Sequence, residues 1–322
     1  MKHLTSYERE QIAYWKSQGL GVRDIAGKVS RDHSVVSREL RRNKGQLFPY
    51  EAANAQYYAE RRRRIANRPK LSKHRELKEW VHDQLMQKWS PEQIAGRLKE
   101  HPPVHLAGLT ISHEAIYQWI YAESPRGAPW LYHHLRRKHV ERRPKFGRKK
   151  RNQVKIPELV PISERGELEG FGHFEADSVV GKNHKPGLSV HYEKATQWTK
   201  LHKLESMKAE ETLAALEGTL ADLPLGFAAS VTFDRGGETA LHYRLRESYG
   251  VATYHCDPYS PHQKGGVENV NGLVRQFFPK GTDFRYVSPE TVALVEDLLN
   301  NRPRKKLNYQ TPNEAMSGAL DS

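Results

Sequence analysis

The chain has 322 residues, enough for two domains or three small ones and for at least one sizeable core. Its 52 Lys and Arg against 38 Asp and Glu leave a formal net charge of +14, which points to a polyanionic partner. One cysteine, Cys256, excludes intramolecular disulfides and cysteine-based zinc fingers, and no apolar run approaches the roughly 18 residues of a membrane span, so a soluble protein of a reducing, intracellular compartment is expected.

Thr5-Ser6-Tyr7-Glu8 has the spacing of a capping box and predicts a helix over about residues 6–18, stopped by Gly19 and Gly21. Val22, Ile25, Ala26 and Val29 follow the spacing of a one-sided helix, and Ser30-Arg31-Asp32 reads as a turn into a third helix over about 33–43. This is the order of a helix-turn-helix. On the third helix Val36 and Leu40 can face a core, while Ser34, Ser37, Arg38 and Arg41 share the opposite face with Arg42 beside them. Small hydroxyls let a helix approach a major groove and guanidiniums pair with guanine edges or phosphates, so this stripe is a candidate DNA-reading face. A three-helix bundle with an ordinary charged face is the alternative, which the turn spacing and the charge disfavour.

Four consecutive arginines at 61–64 suit a solvated linker as well as a phosphate contact. Ser90-Pro91-Glu92-Gln93 combines an N-cap, a first-turn proline and a capping-box glutamine ahead of Ile94, Ala95 and Leu98. Ser112 can cap a further helix carrying Ala115, Ile116, Trp119 and Ile120. Two readings stand: a second helix-turn-helix with a lengthened turn, or a helical connector whose aromatics are core. Residues 136–151 then place ten basic side chains in sixteen positions, Arg142, Arg143, Lys149 and Lys150 among them. Self-repulsion extends such a segment and counterion release rewards its binding to DNA. The charge is split unevenly: residues 1–151 hold 33 basic against 15 acidic side chains, a net of +18, and the remainder holds 19 against 23, a net of −4.

Strands are predicted over about 174–181, 188–192 and 198–204, a helix over 209–223, a strand over 230–233 running into Asp234-Arg235-Gly236-Gly237, a helix over 239–248 and a strand over 251–254. After the loop Asp257-Pro258-Tyr259-Ser260-Pro261 comes a helix over about 266–278, with Val267, Val270, Val274 and Phe277 on one face and Glu268, Asn271, Gly272 and Arg275 on the other. This order fits an α/β core with a mixed sheet. Asp177 lies inside a strand, where a carboxylate is costly without a partner or a metal. Asp234 ends a later strand and Glu268 starts a helix, where the alternatives are an ordinary turn aspartate ahead of Gly-Gly and a solvated helix-face glutamate. Carboxylates from two strands and a helix can converge on hard divalent cations, and two such ions can activate a nucleophile and stabilise a leaving oxygen in phosphoryl transfer. Glu175 and Glu238 lie close to these positions, and composition alone does not choose among the acids.

Phe174-Glu175-Ala176-Asp177 with Val179-Val180-Gly181, Thr232-Phe233-Asp234 with Gly236 and Glu238, and Asp257-Pro258-Tyr259-Ser260-Pro261 leading to Glu268-Asn269 and Asn271-Gly272-Leu273-Val274-Arg275-Gln276-Phe277-Phe278-Pro279-Lys280-Gly281 resemble the patterns of insertion-sequence-thirty family transposases. The resemblance covers essentially the whole chain. It runs from the helix-turn-helix through Trp89-Ser90-Pro91-Glu92-Gln93 to Asn301-Arg302-Pro303-Arg304 and Tyr309-Gln310-Thr311-Pro312. The 33 residues between Asp234 and Glu268 are similar to the family's interval, so the resemblance selects Asp177, Asp234 and Glu268 as catalytic and metal-binding residues. Phe174, Arg235 and His262 depart from the pattern, and none of them removes a carboxylate.

The resemblance implies a multidomain protein: a helix-turn-helix DNA-binding domain at 1–60, a second helical region at 61–135, a basic linker at 136–165 and a ribonuclease-H-like, integrase-like catalytic domain with a mixed five-stranded sheet at 166–322. It implies two Mg²⁺ or Mn²⁺ ions and no small-molecule cofactor. Double-stranded DNA is the implied partner, as terminal inverted repeats and as target, bound by a homo-oligomer in the bacterial cytoplasm at the nucleoid, with no membrane. Arg275, two turns along the same helix face as Glu268, is a candidate DNA contact near the scissile phosphate, with an ordinary surface arginine as the equal alternative. The implied activity is strand cleavage and strand transfer in DNA transposition. The competing readings are a non-catalytic helix-turn-helix regulator and a metal-dependent nuclease that cuts without joining.

Overall fold

A computed structural model describes residues 3–43, 49–66, 70–123, 131–136, 156–182, 186–258 and 260–321, in two compact units, Met1–His74 and Arg75–Ser322. Arg142, Arg143, Lys149 and Lys150, with most of the expected basic linker, lie outside the described residues.

The first unit is helical: α1 Ser6–Ser17, α2 Val22–Lys28, α3 His33–Arg42, α4 Ala52–Ala66 and α5 Lys70–Lys73. The capping box forms as the sequence predicts, with Thr5 Oγ1 accepting the Glu8 N–H and Glu8 Oε2 accepting the Thr5 N–H at 2.7 Å. Glu8 also binds Arg31, and that bond chiefly holds its carboxyl down at about 2. Gly19, at φ +80°, makes the turn after α1. Ile12, Ile25, Ala26, Val29 and Val36 form the core. Within it Arg9 pairs with Glu39 at 2.7 Å, both under a tenth exposed, and Arg9 also donates to the Leu4 carbonyl and to Gln56 of α4.

The second unit opens with α6 Arg75–Met86, α7 Pro91–Glu100 and α8 His113–Glu123. Ser90 and Gln93 form the expected capping box on α7, and Trp89, Ile116, Trp119 and Ile120 are buried. The strands are β1 His173–Val180, β2 Gly187–Glu193, β3 Thr199–Leu204, β4 Ser230–Phe233 and β5 Ala252–His255, in the order β3-β2-β1-β4-β5. β1 pairs antiparallel with β2, and β2 with β3, whereas β1, β4 and β5 run parallel, so this is the mixed five-stranded sheet the sequence predicts. Helices α9 Ala209–Ala221 and α10 Tyr243–Tyr249 cover one face, and α11 Gly265–Phe277 and α12 Pro289–Asn300 cover the other, with α13 Pro312–Leu320 closing the chain.

Alternation along β1 assigns its faces. Phe174 and Ala176 join the α9 and α10 core, and Val179 joins the core under α11 and α12. Glu175 and Asp177 therefore point toward α11. The periodicity reading stops at α11, and α12 and α13 both start on a Ser or Thr cap followed by proline.

Candidate active site

β1 and α11 run side by side and are tied at three levels. Glu175 Oε2 accepts the Val267 N–H at 2.9 Å, Asp177 Oδ2 accepts from Asn271 Nδ2 at 2.7 Å, and the Val180 carbonyl accepts from Arg275 Nη2 at 2.8 Å. Close approach depends on Gly266, where an added Cβ would stand 2.2 Å from the Tyr192 ring and 2.9 Å from Glu175 Oε2. Glu175 is 1% exposed and its other oxygen accepts from Lys194 Nζ at 2.7 Å. Both oxygens of this second strand acid are thus committed inside the fold, whereas the Asp177 side chain stays 23% exposed.

Asp177 and Asp234 each lie two residues beyond the paired Glu175 and Thr232 of the parallel strands β1 and β4, hence on the same face by alternation. Asp234 Oδ1 accepts the Gly236 N–H at 3.3 Å, the self-closing turn that an aspartate before glycine favours. Burial raises the Glu238 carboxyl above the ordinary range, and the charges of Asp234 and Asp177 add to it, so all three share one negative field. Glu268 stands exposed on the first turn of α11, one turn before Asn271.

A cation already sits in this field. Lys264, 6% exposed, donates to the Ala176 carbonyl at 3.0 Å and lies 3.5 Å from Asp177 Oδ1. Among the described residues no group of three or more His, Cys, Asp or Glu side chains is arranged to hold a metal ion, so the three expected carboxylates do not form a closed cage. The donor chemistry still suits a hard cation. Asn271 Oδ1 is buried without a hydrogen-bond partner next to Asp177, leaving an unused oxygen beside that carboxylate.

The other expected residues are placed as follows. Ser37, Arg38, Arg41 and Arg42 are exposed on α3, and Ser34 is half-buried. Arg38 folds back on Ser34, donating to its carbonyl at 2.9 Å and its hydroxyl at 3.1 Å. Arg275 also reaches the Phe278 and Pro279 carbonyls, each at 3.4 Å, so its guanidinium fastens the end of α11 to the end of β1. Arg235 donates to the Cys256 carbonyl at 2.9 Å and stands 3.7 Å from Asp257. Sequence reasoning overlooks Lys264, which no local pattern marks. Asn271 carries a signal, since it shares the polar helix face with Glu268.

A helix-turn-helix domain model matches residues 1–43. The chain is 37% identical, over 97% of its length and 82% of the relative's, to the transposase InsI of insertion sequence element IS30A from Escherichia coli K12. It is 37% identical to the transposase of element IS1086 from Cupriavidus metallidurans, over 99% of this chain and 95% of the relative. To the transposase of element IS4351 from Bacteroides fragilis it is 35% identical, over 97% and 95%. A solved catalytic core domain of BIV integrase aligns with 46% of the chain and 96% of its own length, at 15% identity and a TM-score of 0.37. A helix-turn-helix ahead of a mixed-sheet core, with relatives of this kind over nearly the full length, defines a transposase, an enzyme acting on DNA. The chain belongs to the IS30 family of insertion-sequence transposases.

Proposed function

We propose that this transposase binds the terminal inverted repeats of its insertion sequence through α3 and performs divalent-metal-dependent strand cleavage and strand transfer at a site made by Asp177, Asp234 and Glu268. The observation that carries the reading is the Asn271 to Asp177 bond, which holds the helix of Glu268 against the strand of Asp177 and leaves Asn271 Oδ1 unused. Asp177, Asp234 and Glu268 would hold Mg²⁺ or Mn²⁺, whose chemistry is to lower the pKa of a bound water or DNA 3′-hydroxyl and to stabilise the departing 3′ oxygen. Asn271 orients the Asp177 carboxylate, and Glu175 and Gly266 fix the depth at which α11 lies. Lys264 neutralises part of the charge of Asp177 before DNA and metal arrive. On α3, Ser34, Ser37, Arg38, Arg41 and Arg42 meet the groove and backbone of the repeat. The basic residues Arg142, Arg143, Lys149 and Lys150 track DNA phosphates, and Arg275 lies close to the scissile phosphate. The enzyme acts as a homo-oligomer that brings two element ends together.

The test is a Mg²⁺-dependent assay on labelled terminal-repeat DNA with the wild type and with Asp177→Asn, Asp234→Asn and Glu268→Gln. Strand transfer by the wild type, lost in each variant while repeat binding is kept, is the expected result. Cleavage without joining would favour a nuclease, and binding alone a regulator. Activity in the triple variant would refute the assigned carboxylates.

A further inference from the structure

Between α7, the first turns of α11 and the loop after α12 lies a cavity of about 450 Å³. Its wall carries Arg136, Arg302, Arg304, Lys305 and Lys306 against a single carboxylate, Glu92, which is itself taken by Lys305 at 2.7 Å. Arg302 and Arg304 are only 3% and 7% exposed. Arg302 donates to Gln93 Oε1 and Gln276 Oε1, both at 2.9 Å. Arg304 donates from Nη2 to the Leu299 carbonyl at 3.0 Å, and its buried Nε has no partner.

Every one of these acceptors is neutral. Among the described residues no carboxylate forms an ion pair with Arg302, Arg304 or Arg136, whereas buried charges are ordinarily paired because removing them from water is costly. Burial pushes Arg302 down to about 9, with the charges of Arg304 and Arg136 adding to the effect, and it pushes Arg304 down to about 10.

The cavity is built to hold these cations in place. Gln93 Nε2 donates to the Pro303 carbonyl at 2.8 Å, and Arg97 binds the Tyr309 carbonyl and Glu314. An added Cβ at Gly96 would stand 2.1 Å from the Tyr309 ring, so α7 sits directly on this loop. Gly265 and Gly266, at the positive N-terminal end of the 13-residue α11, form part of the opposite wall. Arg136, Lys305 and Lys306 are exposed, so the positive lining continues out to solvent.

We propose that this cavity is a phosphate site that takes one backbone phosphate of DNA beside the first turn of α11, with Arg302, Arg304 and Arg136 as its donors. DNA suits the site better than a free anion, because the positive lining extends from the buried arginines to the surface and the same helix carries Glu268. The proposal deepens the DNA-processing reading and rests on DNA reaching this face of the second unit.

The test is fluorescence anisotropy of the full chain on a labelled terminal-repeat duplex, in EDTA, over a series of salt concentrations, for the wild type, Arg136→Ala, Arg304→Gln and the surface control Arg244→Ala. Loss of one phosphate contact lowers the slope of log affinity against log salt by about 0.9. That reduction is expected for Arg136→Ala and Arg304→Gln, and not for Arg244→Ala. Thermal unfolding of the same proteins in inorganic phosphate, at fixed ionic strength, separates the sources. Phosphate raising the wild-type Tm with all DNA slopes unchanged would mean a small-anion pocket and overturn the DNA assignment. An equal slope loss in Arg244→Ala would mean general charge, and no response to either ligand would mean no site; both overturn it. If Arg304→Gln does not fold, the exposed Arg136→Ala decides the outcome alone. Because EDTA silences the metal-dependent reaction, failure here leaves the cleavage reading standing, and inactive carboxylate variants that keep the wild-type slope leave this one standing.

Discussion

Glu175 Oε2 accepts the backbone N–H of Val267 at 2.9 Å, so a buried acid on β1 fixes the start of the helix that presents Glu268 at the next position. The seat is tight because only hydrogen fits at Gly266. Gly266→Ala is expected to lift α11 from the sheet, costing about 1–3 kcal/mol as overpacking does. DNA cleavage should fall while repeat binding through α3 is kept. Thermal unfolding and the cleavage assay, run together, check this.

Lys264 and a divalent cation would both be drawn to Asp177, and they repel each other. Lys264→Ala is therefore expected to lower the Tm in EDTA, where Asp177 loses its counter-charge, and to increase the rise in Tm produced by Mg²⁺. A variant that loses stability equally with and without Mg²⁺ would show that the ammonium is only a packing element.

His255, fully buried beside Phe233, is pushed down to about 4, chiefly by burial. His191, His202 and His242 are shifted in the same direction by the same cause. Each has a folded pKa below its unfolded value near 6.5, so the unfolded chain binds more protons between the two values and stability falls as the pH drops. From pH 6.5 to 4, His255 alone accounts for up to about 3 kcal/mol at roughly 1.4 kcal/mol per pH unit. His255→Asn should flatten this part of a plot of Tm against pH.

In the first unit Arg9 and Glu39 form a buried ion pair. Glu39→Ala leaves Arg9 buried without its anion, and a loss of about 3–5 kcal/mol is expected. Arg38→Ala, on the exposed face of the same helix, should stay within about 0.5 kcal/mol in stability while weakening specific binding to the repeat. Circular dichroism melts and repeat-binding titrations separate the two effects.

Local signals in the sequence translate well into structure. The capping boxes at Thr5 and Ser90, the one-sided spacing of Val22, Ile25, Ala26 and Val29, and the alternation in β1 all appear where predicted, because each is a short-range preference. The acid at Glu175 shows the limit. Nothing in its neighbours says that its partners are Lys194 and the N–H of Val267, 92 residues away. Lys264 and the cluster of Arg302 and Arg304 are hidden for the same reason: their meaning is set by which distant groups face them. The starts of α12 and α13 are local signals too, since Ser288-Pro289 and Thr311-Pro312 are ordinary helix starts.

Gln93 completes the capping box of α7 with the same side chain whose Oε1 accepts from Arg302 and whose Nε2 donates to the Pro303 carbonyl. A short-range fold signal is therefore also a latch across 209 positions of sequence. Residues 75–123 and the sheet that follows are consequently not interchangeable parts. A fragment beginning after the basic segment would strip Arg302 of an acceptor, and a graft of α6 to α8 from a different transposase would have to bring a matching glutamine. Attempts to recombine segments of such transposases should keep residues 75–321 together and place the junction ahead of α6.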